Sequence, residues 1–129
     1  MLTEYEIELR VRYNETDPMG FVHHSHYLMY FEIARTEMFR ASGGNYRLME
    51  QQGRRVVVVR AECSYRKPAR YDDLLRIRTR ITRVTPAKIE HEYVVMRDGD
   101  ALAEGHVVLA VVDDRGIVQR VPNELNPFQ

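Results

Sequence analysis

The sequence predicts an α+β fold in which an antiparallel sheet of five strands curves around one long helix, in the order β-α-β-β-β-β. Three observations predict it. A stretch near the N-terminus alternates charged and apolar residues. One long segment repeats its apolar residues every three or four positions. From residue 56 onward the chain alternates again, broken only by short turns that favour antiparallel neighbours. A helix with one apolar stripe and a sheet with one apolar face must cover each other. With a single helix available, the sheet has to bend around it.

Residues 4 to 13 place Tyr5, Ile7, Leu9, Val11 and Tyr13 on one side and Glu4, Glu6, Glu8, Arg10 and Arg12 on the other, the pattern of a half-buried strand. In "TDPMG", Asp17, Pro18 and Gly20 occupy the positions these residues prefer in a type I turn. A helix is expected from about Ser25 to about Ser42, with Tyr27, Tyr30, Phe31, Ala34 and Met38 as its stripe and Ser25 as its cap. Glu32 and Arg35 form an i,i+3 pair on its flank, and Gly43-Gly44 stops it. Residues 45 to 52 add a short helical piece.

In "VVVVRAECSY", Val59, Ala61, Cys63 and Tyr65 share a face. "LLRIRTRITRV" sets Leu75, Ile77, Thr79 and Ile81 against an exposed basic row of Arg76, Arg78 and Arg80, which could meet a partner subunit. "KIEHEYVVM" continues with Ile89, His91, Tyr93 and Val95. Asp98-Gly99 signals a hairpin. In "ALAEGHVVLAVV", Ala101, Ala103, Val107, Leu109 and Val111 face one way, and "IVQRV" is a short final extension.

Composition bounds the function. Residues 1–129 suit one domain, with 44% hydrophobic and 29% charged residues, as in a soluble globular protein. Lys plus Arg and Asp plus Glu balance at 19 each, so bulk charge gives no argument for nucleic-acid binding. The single cysteine, Cys63, excludes an internal disulfide and a cysteine-rich zinc site, and on the apolar face of a strand it reads as core. No stretch resembles a secretory signal or is long and apolar enough to enter a bilayer, so the expected location is the cytoplasm. The histidines of "HHSH", at 23, 24 and 26, do not share a helical face, which argues against a metal site.

Two stretches carry a family resemblance. "RYNETDPMGFVHHSHYLMYFEIARTEMFR" matches a pattern of Tyr, an acidic residue, Thr-Asp, Gly, Val, His, Tyr and then Phe-Glu-x-Ala-Arg. "ECSYRKPARYDDLLRIRTRI" matches Tyr-x-x-Pro-Ala-x-x-Asp-Asp and the strand after it. Together they span over a third of the chain. On these residues the chain resembles the hot-dog fold acyl-CoA thioesterases of the 4-hydroxybenzoyl-CoA thioesterase family, especially the branch associated with the Tol-Pal system. Asn14 departs from the acidic or aromatic residue of the pattern.

The resemblance implies hydrolysis of an acyl-CoA thioester to free acid and CoA, without a cofactor. It places Asp17 at the catalytic carboxylate, as nucleophile or as general base toward water, and His24 at a histidine seven positions later. It sets Tyr13, Gly20, Val22 and Tyr27 beside the substrate. It also makes the unpaired N–H groups at residues 22 to 26, at the helix start, candidates for polarising the thioester oxygen. Arg66, Lys67, Arg70 and Lys88 are candidate partners of the CoA phosphates. Glu32 is the second candidate for the carboxylate, because some hot-dog enzymes use an acid on the helix. The resemblance implies pairing of residues near 56 to 64 with a second copy, giving a homodimer or homotetramer. The alternative is a module of the same fold that binds an acyl-CoA or acyl-carrier protein without turnover. An Asp17 placed beside an electrophilic carbon favours the enzyme.

Overall fold

The computed structural model describes residues 1–129. Strand β1 (Glu4–Arg10) leads through a 3-10 turn (Tyr13–Glu15) to helix α1 (Ser25–Ala41) and the short helix α2 (Tyr46–Gln51). Strands β2 (Arg55–Tyr65), β3 (Leu74–Val84), β4 (Ile89–Arg97), β5 (Asp100–Val112) and the two-residue β6 (Val118–Gln119) follow. The sheet is antiparallel throughout, in the order β1-β3-β4-β5-β2, with β6 pairing Val111 and Val112 of β5 beyond the point where β4 ends. Helix α1 touches β1 and β3 on one side and β2 on the other, so the sheet wraps it as the sequence predicts.

The centre of this wrap is an aromatic stack. Phe31 of α1 and Tyr93 of β4, both fully buried, lie with ring centroids 4.4 Å apart and planes inclined by 14°. Gly105 is the β5 neighbour of Tyr93, and a Cβ built there would overlap the Phe31 ring. Glycine is thus required by close approach rather than by backbone conformation. Burying a side chain the size of Phe31 contributes roughly 1.5–3 kcal/mol. Around the stack, Tyr30, Ala34 and Met38 of the helix stripe meet Leu75, Ile77, Val95 and Leu109 of the sheet.

The core also holds polar groups. The Arg35 side chain, expected on the helix flank, is buried at 8% exposure, and its partner Glu32 lies 3.8 Å away at the surface. His91 is 5% exposed, and burial, followed by the nearby Arg35 charge, lowers its pKa to about 3. It is therefore neutral. His91 Nδ1, Tyr93 Oη and Thr79 Oγ1 are buried without a hydrogen-bond partner.

Two β-bulges correct the facing of residues read from alternation. Register shifts between Val58 and Arg60, so Val59 drops out of the pairing with β5. Val56 and Val58 then align with Ala61, Cys63 and Tyr65, and Val59 does not. In β5, Val95 pairs with Ala103 but Met96 pairs with Ala101, so Leu102 is the extra residue and Ala101 turns to the other face. One inserted residue reverses every side chain beyond it. Strand β1 ends three residues before Tyr13, because Val11 leaves the ladder to exchange backbone bonds with Asp72 and Asp73, and Tyr13 is 77% exposed. The Asp98-Gly99 hairpin forms as expected, with φ of 51° and 84° at its two central residues.

The basic row is not free surface. Arg76 meets Glu6 and Glu8, Arg78 meets Glu4 and Glu6, and Arg80 meets Glu92. The outer face of β1, β3 and β4 is a ladder of alternating charge.

Gly105→Ala tests the central stack. It should destabilise the fold by on the order of 1–3 kcal/mol, the cost of overpacking a site that cannot give. Chemical denaturation at equilibrium measures this, and an unchanged midpoint would contradict the packing described.

Candidate active site

The loop between β1 and α1 is built around two carboxylates with different jobs. Glu15 is structural: its Oε1 accepts the Arg12 N–H at 2.8 Å and the Tyr30 hydroxyl at 2.9 Å. Its carbonyl accepts the His23 N–H at 2.8 Å. This residue ties the loop to the middle of the helix. Burial, aided by the Glu15 carboxylate, drives the Tyr30 hydroxyl pKa far above its ordinary value.

Asp17 opens the turn that the sequence predicts. Gly20 N–H donates to the Asp17 carbonyl at 2.9 Å, and Gly20 takes φ +82°. Asp17 Oδ1 accepts two backbone N–H groups, from Met19 at 2.9 Å and Phe21 at 3.1 Å. The other carboxylate oxygen accepts none. The carboxylate is held in one orientation with one oxygen free.

The helix start differs from expectation. Its N-cap is His24, and the acceptor is the ring of His23, whose Nδ1 takes the Ser25 N–H at 3.2 Å and lies 2.8 Å from Ser25 Oγ. Ser25 is the first helical residue rather than the cap, because the preceding imidazole already occupies the cap acceptor's place. The N–H groups at residues 22 to 26 are not all free either. Val22 donates to Ala69, His23 to Glu15, Ser25 to the imidazole and His26 to His23. The His24 N–H alone has no acceptor.

Asp17 and His24 line one open pocket of about 340 Å³. Val22, Tyr27 and Phe21 form its inner wall, and Tyr65, Arg66, Lys67 and Pro68 its outer wall. A recess of about 280 Å³ at the far end of α1, between Thr36 and Arg47, carries neither an acid nor a histidine. Of the sequence-derived residues, the fold thus gathers Asp17, Val22, His24, Tyr27, Arg66 and Lys67. Arg66 and Lys67 already meet Glu104 at 2.6 Å and Asp100 at 3.3 Å. Arg70 stands just outside, its guanidinium 4.8 Å from the centre of the Phe21 ring.

The other residues lie apart. Gly20 shapes the turn without lining the pocket, and Tyr13 packs edge-on against Tyr71. Lys88 sits in the β3-β4 hairpin, where its carbonyl accepts the Thr85 N–H. That hairpin is at the Leu109 end of the sheet, whereas the pocket is at the Ala103 end. Six strand residues separate the two, about 20 Å. Glu32 is two helical turns from His24 and outside the pocket. Burial pushes the Cys63 thiol up, away from the reactive thiolate.

Sequence reasoning missed Glu15, Phe21, Tyr65 and Pro68. Tyr65 and Pro68 did carry a signal, since both stand in the matched Tyr-x-x-Pro-Ala stretch. The Tyr65 hydroxyl donates to the His24 carbonyl at 3.2 Å.

Comparisons with known proteins identify the family and the fold. The sequence pattern of the Thioesterase-like superfamily matches residues 11–128. The chain is 36% identical over 110 residues to the acyl-CoA thioesterase YbgC of Haemophilus influenzae, covering 84% of this chain and 81% of that protein. Its fold superposes on the crystal structure of a hypothetical protein from Aquifex aeolicus with a TM-score of 0.90 and 33% identity, over 94% of this chain and 95% of the other. It also superposes on a "Probable Thioesterase" from Bartonella henselae, with a TM-score of 0.88 and 32% identity, over 92% and 99% of the two chains.

Proposed function

The chain belongs to the thioesterase-like superfamily of hot-dog proteins, and on that premise we propose that it is an acyl-CoA thioesterase in which Asp17 and the helix start carry out the hydrolysis. One observation carries this reading. The free oxygen of Asp17 and the one unpaired amide of the helix start, that of His24, belong to residues lining the same pocket. A thioester needs both groups: a base or nucleophile at its carbon, and a donor for the charge that grows on its oxygen.

With the carbonyl oxygen on the His24 N–H, the Asp17 carboxylate faces the carbon. Direct attack forms an acyl–aspartyl anhydride and expels CoA as the thiolate, and water then cleaves the anhydride to free acid. Acting instead as base, Asp17 takes a proton from water as that water attacks the carbon, and the C–S bond breaks to release the free acid and CoA, the thiolate taking the proton back. Both routes need an oriented carboxylate, and the two amides on Oδ1 orient it. The His24 ring, exposed at the pocket wall and tilted by 31° against the His23 ring at 4.2 Å, can orient water or the substrate. Aromatic Phe21, Tyr27 and Tyr65 offer an apolar surface to the acyl group, and Arg66, Lys67 and Arg70 form a cationic rim suited to the CoA phosphates. A histidine seven residues after the carboxylate supports placing the chain in the Tol-Pal-associated branch.

The assembly we assign is a homodimer built on β2. This strand is an edge of the sheet, and Val57, Val58 and Val59 expose apolar surface along it. An unpaired apolar edge is a template for a second strand. The outer ladder of β1, β3 and β4 has its charges matched internally and gives no comparable support for a tetramer.

Three outcomes test this reading. Asp17→Asn should lower turnover of an acyl-CoA by on the order of 10²-fold or more with the fold intact, while Glu32→Gln is mild; steady-state thiol release measures both, and the reverse ranking would move the carboxylate role to Glu32. His24→Ala should lower kcat by about 10- to 10³-fold, with a smaller effect from His26→Ala. A kcat near wild type would leave the amide, which alanine retains, as the only contribution of residue 24. Light scattering across a dilution series should find a dimer at micromolar concentration, which Val58→Asp weakens along with activity. A monomer that still hydrolyses acyl-CoA would contradict the assembly.

A further inference from the structure

We propose that Asp73 is a positioning residue for hydrolysis, its carboxylate setting the backbone of Asp17 through two intervening peptides. This rests on the reading above that Asp17 is the carboxylate of the reaction.

Asp73, the second acid of the matched Asp-Asp, lies outside the pocket. It directly precedes β3, and its carbonyl accepts the Val11 N–H at 2.9 Å. Its Oδ2 accepts two donors, the Arg70 N–H and Arg97 Nη1, each at 2.8 Å. Arg97 is the last residue of β4 and also donates to the Pro68 carbonyl at 3.1 Å. The Arg97–Asp73 pair is partly buried, with 27% and 23% of the two side chains exposed. Charge-assisted bonds of this kind are stronger than neutral ones. One oxygen, held by a strand end, thus faces one backbone amide.

That amide leads to Asp17. A peptide is planar, so a bond that holds its N–H also sets its C=O. The Arg70 N–H shares its peptide with the carbonyl of Ala69, a fully buried residue. The Ala69 carbonyl accepts the Val22 N–H at 2.8 Å. The Val22 N–H shares its peptide with the Phe21 carbonyl, which accepts the Asp17 N–H at 2.7 Å. Phe21 N–H also donates to Asp17 Oδ1 at 3.1 Å, so Phe21 grips Asp17 by backbone and by side chain. Glu15 acts elsewhere, because its carbonyl holds the following peptide through the His23 N–H. Without the Asp73 oxygen, the Ala69–Arg70 peptide is free to turn, and the acceptor of the Asp17 amide turns with it. A misplacement of about 1 Å at a reacting group can cost on the order of 10²-fold in rate. An acid serving only to pair Arg97 needs no backbone amide on the same oxygen.

Two variants separate the oxygen from the charge. Both bonds end on Oδ2, so Asp73→Asn, with its single carbonyl oxygen, keeps them and loses only the charge. Asp73→Glu keeps the charge and carries the acceptor one methylene away from the Arg70 N–H. The site is partly exposed, so both should fold. The measurements are steady-state hydrolysis of an acyl-CoA, the thermal midpoint, and the ¹⁵N–¹H resonances of the Val22 and Asp17 amides. For Asp73→Glu the expected result is a kcat lowered about 10-fold, a KM within about twofold and both resonances displaced. For Asp73→Asn the expected kcat is within about threefold of wild type. A purely structural ion pair gives the reverse: Asn lowers the midpoint, while Glu leaves kcat and the resonances intact. An unchanged kcat in Asp73→Glu, an unmoved Asp17 resonance, or an Asn variant as slow as the Glu variant overturns the role of Asp73. Loss of the fold in Asp73→Glu marks a structural role and equally overturns it. If the wild type is active, Asp17→Asn inactive and Asp73→Glu fully active, only this inference fails. A fully active Asp17→Asn overturns the reading of the site itself.

Discussion

The ring of Phe31 lies flat against the ring of Tyr93, over a β5 position where no side chain intervenes. This contact sets how deeply α1 sinks into the sheet. A side chain at residue 105 would lift the helix, and the strands on either side would lose the surface they bend around. The sheet has edges at β1 and β2, and both reach the helix only because its middle is seated so low. The cost of that seating is visible in the polar atoms it strands: the Tyr93 hydroxyl, Thr79 Oγ1 and His91 Nδ1 lie buried without partners. Leaving such groups unpaired is unfavourable, so the aromatic and aliphatic burial around them has to outweigh it.

The pocket inherits its geometry from the same seating. Tyr30 directly precedes Phe31, and its hydroxyl takes hold of Glu15. Glu15 in turn holds the Arg12 amide and the His23 amide. Once the helix is docked, the loop has little freedom about where Asp17 stands. Two acids two residues apart thus differ in use because of what surrounds them. Glu15 spends Oε1 on two internal donors, the Arg12 amide and the Tyr30 hydroxyl, whereas Asp17 is held by amides of its own turn and lines the pocket. Such fixed groups need little rearrangement when charge develops, which is where most enzymatic rate acceleration originates.

Much of this was legible in the sequence, and the rest was hidden for definite reasons. The helix stripe, the alternation of β3 and β4, the Asp17–Gly20 turn and the Asp98-Gly99 hairpin follow from local rules, and local rules sufficed. Val59 and Ala101 face otherwise than alternation implies because a bulge is decided by the partner strand, which alternation does not see. Ser25 reads as the cap because hydroxyls are the usual acceptors, while here the imidazole two residues earlier does the work. Arg35 looked like a flank residue because its pairing distance to Glu32 is the same whether the pair faces water or core. Lys88 failed to join the pocket because a hairpin start says nothing about which end of the sheet it occupies. Glu15 and Tyr65 act over separations of 15 and 41 residues, which no local pattern reports.

The outer charge ladder has a kinetic consequence. Each arginine of β3 is matched by a glutamate within ion-pair distance, and the whole chain carries a formal net charge of zero at pH 7. Opposite charges so closely interleaved cancel beyond about 8 Å, the Debye length at physiological salt. An anionic CoA ester approaching through solvent therefore feels no directing field until it reaches the rim of the pocket. The outer face thus adds little to the capture of an anion, and any salt dependence of capture originates at the rim of the pocket.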